Sequence, residues 1–245
     1  MAASVSHATP FIQLVSFAGK DAASRQRLLD IWLPAFDYVK AEEVGAGKLT
    51  STYEGFLPVN DPAQPESSTE ILAWETYSSE PEFQRVHMGA EPVKKFLKEV
   101  ADADVLGRPT TLNFLTATKL GFHTRGVERE AAVKHKAAKP YTLVVTIDFN
   151  DAKGVDAFIE VFAPLAAHVK AHEPNTLTYE AFRSSSHANQ IVIFERYATE
   201  ADLKEVHWKS EPFLAFSNKL KDMNIVKNKQ ARSYIELQAG HWGQE

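Results

Sequence analysis

The clearest hydrophobic pattern lies in the second half of the chain. Residues 141–149 (YTLVVTIDF) are β-branched and apolar nearly throughout, as in a buried strand. Asn150 or Asp151 can cap the helix that follows. In that helix Val155, Phe158, Ile159, Phe162, Leu165, Ala166 and Val169 recur at three- and four-residue spacing and form one apolar face. Pro174-Asn175 ends it. Residues 176–183 (TLTYEAFR) and 190–197 (QIVIFERY) read as strands on either side of the polar turn Ser184 to Asn189. Thr199 to Asp202 has the acceptor and carboxylate of a helix start, and this short helix reaches about Trp208. Ser210-Glu211-Pro212 opens another, with proline in its first turn, ending near Lys221. Ala231 to Leu237 is a last strand.

The first half follows the same plan. Phe11 to Phe17 is a strand, and Ala22 to Glu42 is a helix with Leu28, Leu29, Ile31, Trp32, Ala35, Phe36 and Val39 apolar. Ser79 to Glu82 repeats the helix start, and Thr110 to Leu120 is the last strand. The likeness extends to single residues. Trp74-Glu75-Thr76-Tyr77, His87, Glu91-Pro92 and Phe96 return 120 positions later as Phe194-Glu195-Arg196-Tyr197, His207, Glu211-Pro212 and Phe216. Pro34, Val39, Lys40, Ala41 and Glu43 match Pro164, Val169, Lys170, Ala171 and Glu173 at an offset of 130. Thr52-Tyr53-Glu54 matches Thr178-Tyr179-Glu180 at 126. The falling offsets put the extra residues of the first copy in the turn Gly45 to Lys48 and the proline-rich loop Pro58 to Ser68, where a shared fold tolerates them.

The chain therefore reads as a duplicated domain, with repeats at 8–120 and 140–238. Residues 121–139 are a charged linker with helical stretches around Val127 to Lys136. Each repeat has the order β-α-β-β-α-β. That order makes an α+β, ferredoxin-like unit: an antiparallel sheet with helices on one face. The other sheet face is too apolar to leave in water. Two copies in one chain bury it by packing sheet on sheet and closing a barrel.

Composition narrows the function. A chain of 245 residues with 44% hydrophobic and 24% charged positions holds two ordinary domains with real cores. A net charge of −5 with both signs mixed provides no basic face for nucleic acid. The absence of cysteine excludes disulfides, thiol nucleophiles and Cys-ligated metals. No stretch nears the roughly 18 apolar residues of a membrane span, and Met1 to Pro10 has no cationic or apolar leader. The expectation is a cytoplasmic protein without a membrane partner.

His87 and His207 are the first candidates for chemistry, because imidazole titrates nearest neutrality and suits a general acid or base. The competing reading is structural: each lies near the end of a short helix and bonds a backbone carbonyl or a Glu of the repeat. Glu75 and Glu195 sit in otherwise apolar strands, so each is buried with a partner or lines a cavity, where burial raises its pKa. Tyr53, Tyr77, Tyr179, Tyr197, Trp74 and Trp208 could stack on a planar ligand or fill the core. Trp208 stands where the first copy has Met88, which would make the second copy the working half if Trp208 faces a cavity. Arg183 and Arg196 could pair with an anionic substrate or face solvent, the latter being the expectation. His168 and His172 have the i, i+4 spacing of metal ligands, but Tyr38 and Glu42 do not repeat it, and no metal site is expected. No phosphate loop or nucleophile elbow is present.

The run His172-Glu173-Pro174-Asn175-Thr176-Leu177-Thr178-Tyr179-Glu180, then Phe194-Glu195-Arg196-Tyr197, His207, Ser210 and Phe213, resembles the antibiotic biosynthesis monooxygenase domain. Asn175 replaces the usual glycine, and in the first copy only Glu43 and Tyr53 survive from that segment. The resemblance implies a dimeric α+β barrel, here as an internal pseudo-dimer, with further homodimerisation open. It implies no cofactor and a small aromatic partner: a phenol, quinol or anthrone oxidised by dioxygen. Relatives also degrade haem, but with an Asn on the first strand, where this chain has Gln13 or Thr142. The resemblance thus makes His207, Tyr197, Glu195 and His87 the catalytic candidates, with Trp208, Tyr179, Arg196, Trp74 and Tyr53 for substrate binding. The alternatives are a non-catalytic small-ligand or stress-response barrel, and an isomerase or decarboxylase on the same scaffold.

Overall fold

A computed structural model describes residues 10–44, 49–59, 69–134 and 139–242. The expected turn at Gly45 to Lys48, residues 60–68 of the proline-rich loop and the end of the linker helix lie outside the described residues. In chain order the elements are β1 (Phe11–Ala18), α1 (Ala22–Tyr38), β2 (Thr50–Pro58), β3 (Glu70–Tyr77), α2 (Glu80–Glu82), α3 (Glu91–Asp102), β4 (Thr111–Phe122) and α4 (Val127–Lys134). They continue with β5 (Tyr141–Phe149), α5 (Ala152–His172), β6 (Thr176–Ser184), β7 (Gln190–Tyr197), α6 (Glu211–Met223) and β8 (Val226–Glu236). Each repeat is β-α-β-β-α-β. The two long helices start alike: Asp21 accepts from Ser24 N at 2.7 Å and Asp151 from Gly154 N at 2.9 Å, which satisfies donors that the helix itself cannot.

All eight strands form one closed barrel in the order β1-β3-β2-β8-β5-β7-β6-β4. Within each repeat the order is that of a ferredoxin-like sheet. Closure comes from the two seams, β2 with β8 and β4 with β6. Every neighbouring pair is antiparallel, so strands four places apart run the same way. β1 and β5 are therefore parallel, and the two repeats are related by a pseudo-two-fold along the barrel axis. Equivalent residues meet at the same end of the barrel.

Alternation along the strands separates three cores. Outward strand side chains such as Phe17 pack in the first repeat under Trp32 and Phe36 of α1 and Phe96 of α3. In the second, Phe149 packs under Phe158 and Phe162 of α5, in one core with Leu203. Inward side chains from both repeats share the barrel interior, among them Phe56, Trp74, Phe182 and Phe194. The equivalent residues Trp74 and Phe194 lie across the axis with ring centroids 4.4 Å apart.

The repeat continues to the end of β4 and just beyond β8. Gly121-Phe122-His123 and Gly240-His241-Trp242 are straps that cross the opposite tyrosine strand. A Cβ on Gly121 would sit 1.8 Å from Tyr179 O, and one on Gly240 the same distance from Tyr53 O. Gly121 also needs φ +103, which side chains resist. The straps deliver His123 and Trp242, which stack at 4.9 Å and close one end of the barrel. Arg196 fits beneath them. It is fully buried, donates to Glu236 at 2.8 Å and to both oxygens of Glu130 at 3.1 Å, and lies 3.9 Å over the Trp242 ring. The expectation of a solvent-facing Arg196 is corrected: its inward position needs two carboxylates, one of them brought by α4. Arg183 is the exposed one, paired with Asp156.

Gly121→Ala and Gly240→Ala should each lower the thermal midpoint by several degrees. A Cβ there must displace backbone, at a cost of order 1–3 kcal/mol. Differential scanning calorimetry checks this, and an unchanged midpoint would show that the straps are not seated as described.

Candidate functional site

Both repeats contain a buried imidazole held by a buried carboxylate. In the first, α1 runs into a π-helical turn, Val39–Glu43, that carries Glu43. A second such turn, Phe83–His87, carries His87. The extra residue in a π turn rotates its last side chain inward, a device common at functional sites. His87 Nδ1 lies 3.0 Å from Glu43 Oε2, which also accepts from the Thr50 hydroxyl at 2.9 Å. An ionised carboxylate can only accept, so Nδ1 carries a hydrogen, and in the neutral ring the lone pair falls on Nε2. In the second repeat His207 Nδ1 lies 3.0 Å from Glu173 Oε2, with Thr176 donating to the same carboxylate at 3.1 Å.

Next to each pair is a second carboxylate. Glu75 Oε2 accepts from the Tyr77 hydroxyl at 2.8 Å and from Gln13 Nε2. Glu195 accepts from the Tyr197 hydroxyl at 2.7 Å. Burial raises both carboxyls above their ordinary range, against the opposing pull of the neighbouring His and the hydrogen-bonded Tyr. Burial, followed by the charge of the nearby Glu, pushes Tyr53, Tyr77, Tyr179 and Tyr197 well above their ordinary value. None of these tyrosines is a phenolate near neutrality.

The repeats differ in the space beside the imidazole. In the first, a cavity of about 270 Å³ opens between the sheet and α3. Gln13, Trp32, Tyr53, Glu75, His87 and Met88 line it together with Val93 and Leu112. Leu97 and Leu112 form its rim and are exposed. Tyr53 is fixed by Trp32, whose Nε1 donates to its hydroxyl at 2.8 Å. In the second repeat Phe213 stands where Val93 stands in the first, and its ring lies 4.9 Å from that of His207. His207 is wholly buried and its Nε2 has no hydrogen-bond partner among the described residues. Leu143 replaces Gln13, as the registers Gln13↔Glu75 and Leu143↔Glu195 show.

The candidates from the sequence therefore divide by place. His87, with Tyr53, reaches the open cavity. His207, Tyr197, Glu195 and Tyr179 come together as its closed counterpart. Trp74 and Arg196 lie inside the barrel, in the shared core and the buried ion cluster. Trp208 retains 39% of its surface, while Met88, its counterpart, lines the first-repeat cavity. Glu43, Gln13 and Trp32 were not among the candidates. Glu43 was visible as a repeated residue at the end of a helix, and Gln13 as a polar residue in an apolar strand. Trp32 gave no signal beyond its helical spacing. His168 and His172 sit side by side at 4.8 Å, and no group of three potential metal ligands occurs among the described residues.

The family model described as antibiotic biosynthesis monooxygenase matches residues 140–219. No curated protein matches the chain. Among solved structures, a candidate monooxygenase from Fusobacterium nucleatum is similar at a TM-score of 0.76 and 13% identity, covering 98% of this chain and 97% of its own. A candidate monooxygenase from Lactobacillus acidophilus has a TM-score of 0.71 at 11% identity over 96% and 97%. An anthrone oxidase-like protein has 0.60 at 10% over 94% and 92%. These neighbours share the full-length two-repeat barrel fold. No helix among the described residues is long and apolar enough to cross a membrane.

Raised in the folded state above its ordinary 4.5, the Glu75 carboxyl binds its proton more tightly than it does in the unfolded chain. Its contribution to stability is complete below about 4.5 and is lost as pH rises through the folded value. Glu75→Gln removes this dependence. The stability of the variant relative to the parent should therefore climb as pH rises from below 4.5 towards neutrality. Urea denaturation across that range checks it, and a constant difference would refute it.

Proposed function

We propose that this chain, whose residues 140–219 form an antibiotic biosynthesis monooxygenase domain, oxidises a small planar phenol, quinol or anthrone with dioxygen in the cavity of its first repeat, without a cofactor. The carrying observation is that His87 lines an open cavity while its Nδ1 is held by buried Glu43. That leaves Nε2 as a base of fixed tautomer, with a carboxylate behind it to stabilise the imidazolium. The tyrosines do not compete for this role, because burial keeps them protonated. At about 270 Å³ the cavity is at the small end of ligand pockets, which run from roughly 300 Å³ upward. It suits a compact ring system packed against Trp32 and Tyr53.

In this reading His87 removes the acidic proton of the substrate. The anion passes an electron to dioxygen, and the radical pair joins to form a carbon–oxygen bond. His87 returns its proton to the outer oxygen of the peroxide. The O–O bond breaks with loss of a second hydrogen from the same carbon. Water leaves, and the ring keeps one oxygen atom as a new carbonyl. The substrate loses two hydrogens and gains one oxygen; the second oxygen atom is in the water. Apolar walls keep bulk water from the anion before oxygen arrives.

A barrel that binds a small ligand without turnover is the second reading. The observation that favours it is the conserved geometry of Glu173 and His207 beside Phe213: the same pair persists where the space is filled, so it also serves the fold.

Oxygen uptake with anthrone and with substituted quinols tests the proposal. His87→Ala should lower turnover by ~10²–10⁴-fold, the usual contribution of a general base. His207→Ala should reduce stability and leave turnover of the folded fraction within a few-fold. Absence of uptake with every such substrate, or full activity of His87→Ala, sinks the oxygenase reading.

A further inference from the structure

Glu75 lines the same cavity as His87 and has one of its two oxygens unused. Its Oε2 accepts from the Tyr77 hydroxyl at 2.8 Å and from Gln13 Nε2. Its Oε1 has no hydrogen bond among the described residues, yet it is not sealed off as His207 Nε2 is. Oε1 is therefore the oxygen open to the cavity.

The charges around this carboxyl decide its state. The titratable groups facing it are Tyr77, Tyr53, His87 and Glu43, and no lysine or arginine lines the cavity among the described residues. Two buried carboxyls, Glu43 and Glu75, thus compete for one imidazole. Glu43 has it, 3.0 Å from Nδ1, with the Thr50 hydroxyl besides. Glu75 has only the neutral donors of Gln13 and Tyr77. Two neighbouring carboxylates out of water resist being ionised together, and the proton falls to the one without the imidazole. Burial, and the charge of Glu43 after it, raise Glu75 in the same sense, against His87, Tyr77 and Gln13. Because Oε2 already takes two donors, the acid hydrogen belongs on Oε1 and points into the cavity. Gln13 fixes this arrangement. Its counterpart in the second repeat is Leu143, and there Glu195 has the Tyr197 hydroxyl alone. The added amide is in the repeat with the open cavity.

We propose that Glu75 is a neutral acid in the His87 cavity and donates a hydrogen bond from Oε1 to an oxygen of the bound ligand, so that the site selects planar ligands bearing a carbonyl oxygen. This deepens the reading of the His87 cavity as the ligand site and rests on it. His87 Nε2 supplies the base and Glu75 the donor. When the base removes a proton, negative charge collects on the ligand oxygen and the bond from Oε1 strengthens, as with other buried carboxylic acids kept neutral beside an oxyanion. Gln13 is a positioning residue: by occupying Oε2 it leaves the hydrogen one place to go.

Infrared spectroscopy of the full chain in heavy water at neutral pH, under nitrogen and with indanone as the probe, tests this. The parent spectrum minus that of Glu75→Gln should contain the carbonyl stretch of an un-ionised carboxylic acid. That band should move when indanone saturates the cavity, and the ketone stretch should fall below its value in hexane. The movement is read in the parent itself, so the test does not depend on how the variants fold. Glu75→Gln keeps an N–H donor at this place and should bind indanone within ~3-fold of the parent, whereas Glu75→Ala should bind it up to ~10-fold more weakly, the worth of one hydrogen bond. Gln13→Leu, which copies the second repeat, should keep the acid band and weaken indanone by ~3-fold. Oxygen uptake is measured separately: a band that moves with indanone in a chain without uptake upholds the Glu75 assignment and counts against turnover alone. Absence of the acid band, no saturable binding of indanone, full binding by Glu75→Ala, or binding by Glu75→Gln ~10-fold tighter than the parent, as relief from a carboxylate would give, would overturn the proposal.

Discussion

The rest of the structure depends on covering the sheet. A single β-α-β-β-α-β unit leaves two open edges and one bare apolar face. Unpaired edges invite association, and the face removes its free energy of burial from the fold for as long as it stays wet. Joining two units in one chain resolves both with the same contact. The seams pair every edge, and the two faces become one interior containing Phe56, Trp74, Phe182 and Phe194. The pseudo-two-fold follows from that closure. So does the meeting of equivalent residues at the same barrel end, which is why the straps at the ends of β4 and β8 can stack His123 on Trp242 as a plug.

Duplication also frees each half from having to do everything. The imidazole–carboxylate pairs, His87 with Glu43 and His207 with Glu173, tie the turn after each third strand to the end of each long helix. Replacing either carboxylate would strand a buried ring nitrogen, so the fold retains both pairs whatever the chemistry. What varies is the filler beside them. Val93 leaves room and Phe213 does not; Gln13 brings an amide to Glu75 and Leu143 brings only carbon. A site can therefore open in one repeat at the cost of one ring, while the other repeat keeps the core tight.

The architecture was legible because it is written in periodicity and in a repeat that survives at six positions in one register. β5 was read to its last residue, since apolar and β-branched residues fill all of it but Asp148. β8 was read from Ala231 only: its first five residues, Val226 to Gln230, are mostly polar and exposed, and pair with β5 without any alternation to betray a strand. The straps were missed for a related reason. Gly121 and Gly240 are demanded by a backbone carbonyl of the opposite strand, a contact between segments far apart in sequence that no local pattern encodes. Arg196 was misplaced because its strand position is half-polar in composition. Only the arrival of Glu130 from α4 and Glu236 from β8 makes an inward guanidinium tolerable.

The same logic explains why the repeated residues pointed to the site only in part. Positions kept in both copies report what both copies need, and His, Glu and Tyr in register mark a shared bracing of helix on sheet. Function requires in addition an empty volume, and a volume is set by the residues that fail to fill it. Val93, Met88 and Leu112 are unremarkable as sequence; they matter because the corresponding space in the second repeat contains Phe213. Within a duplicated chain each half is the control for the other, and departures from symmetry that line a cavity separate what the fold requires from what it has been given besides.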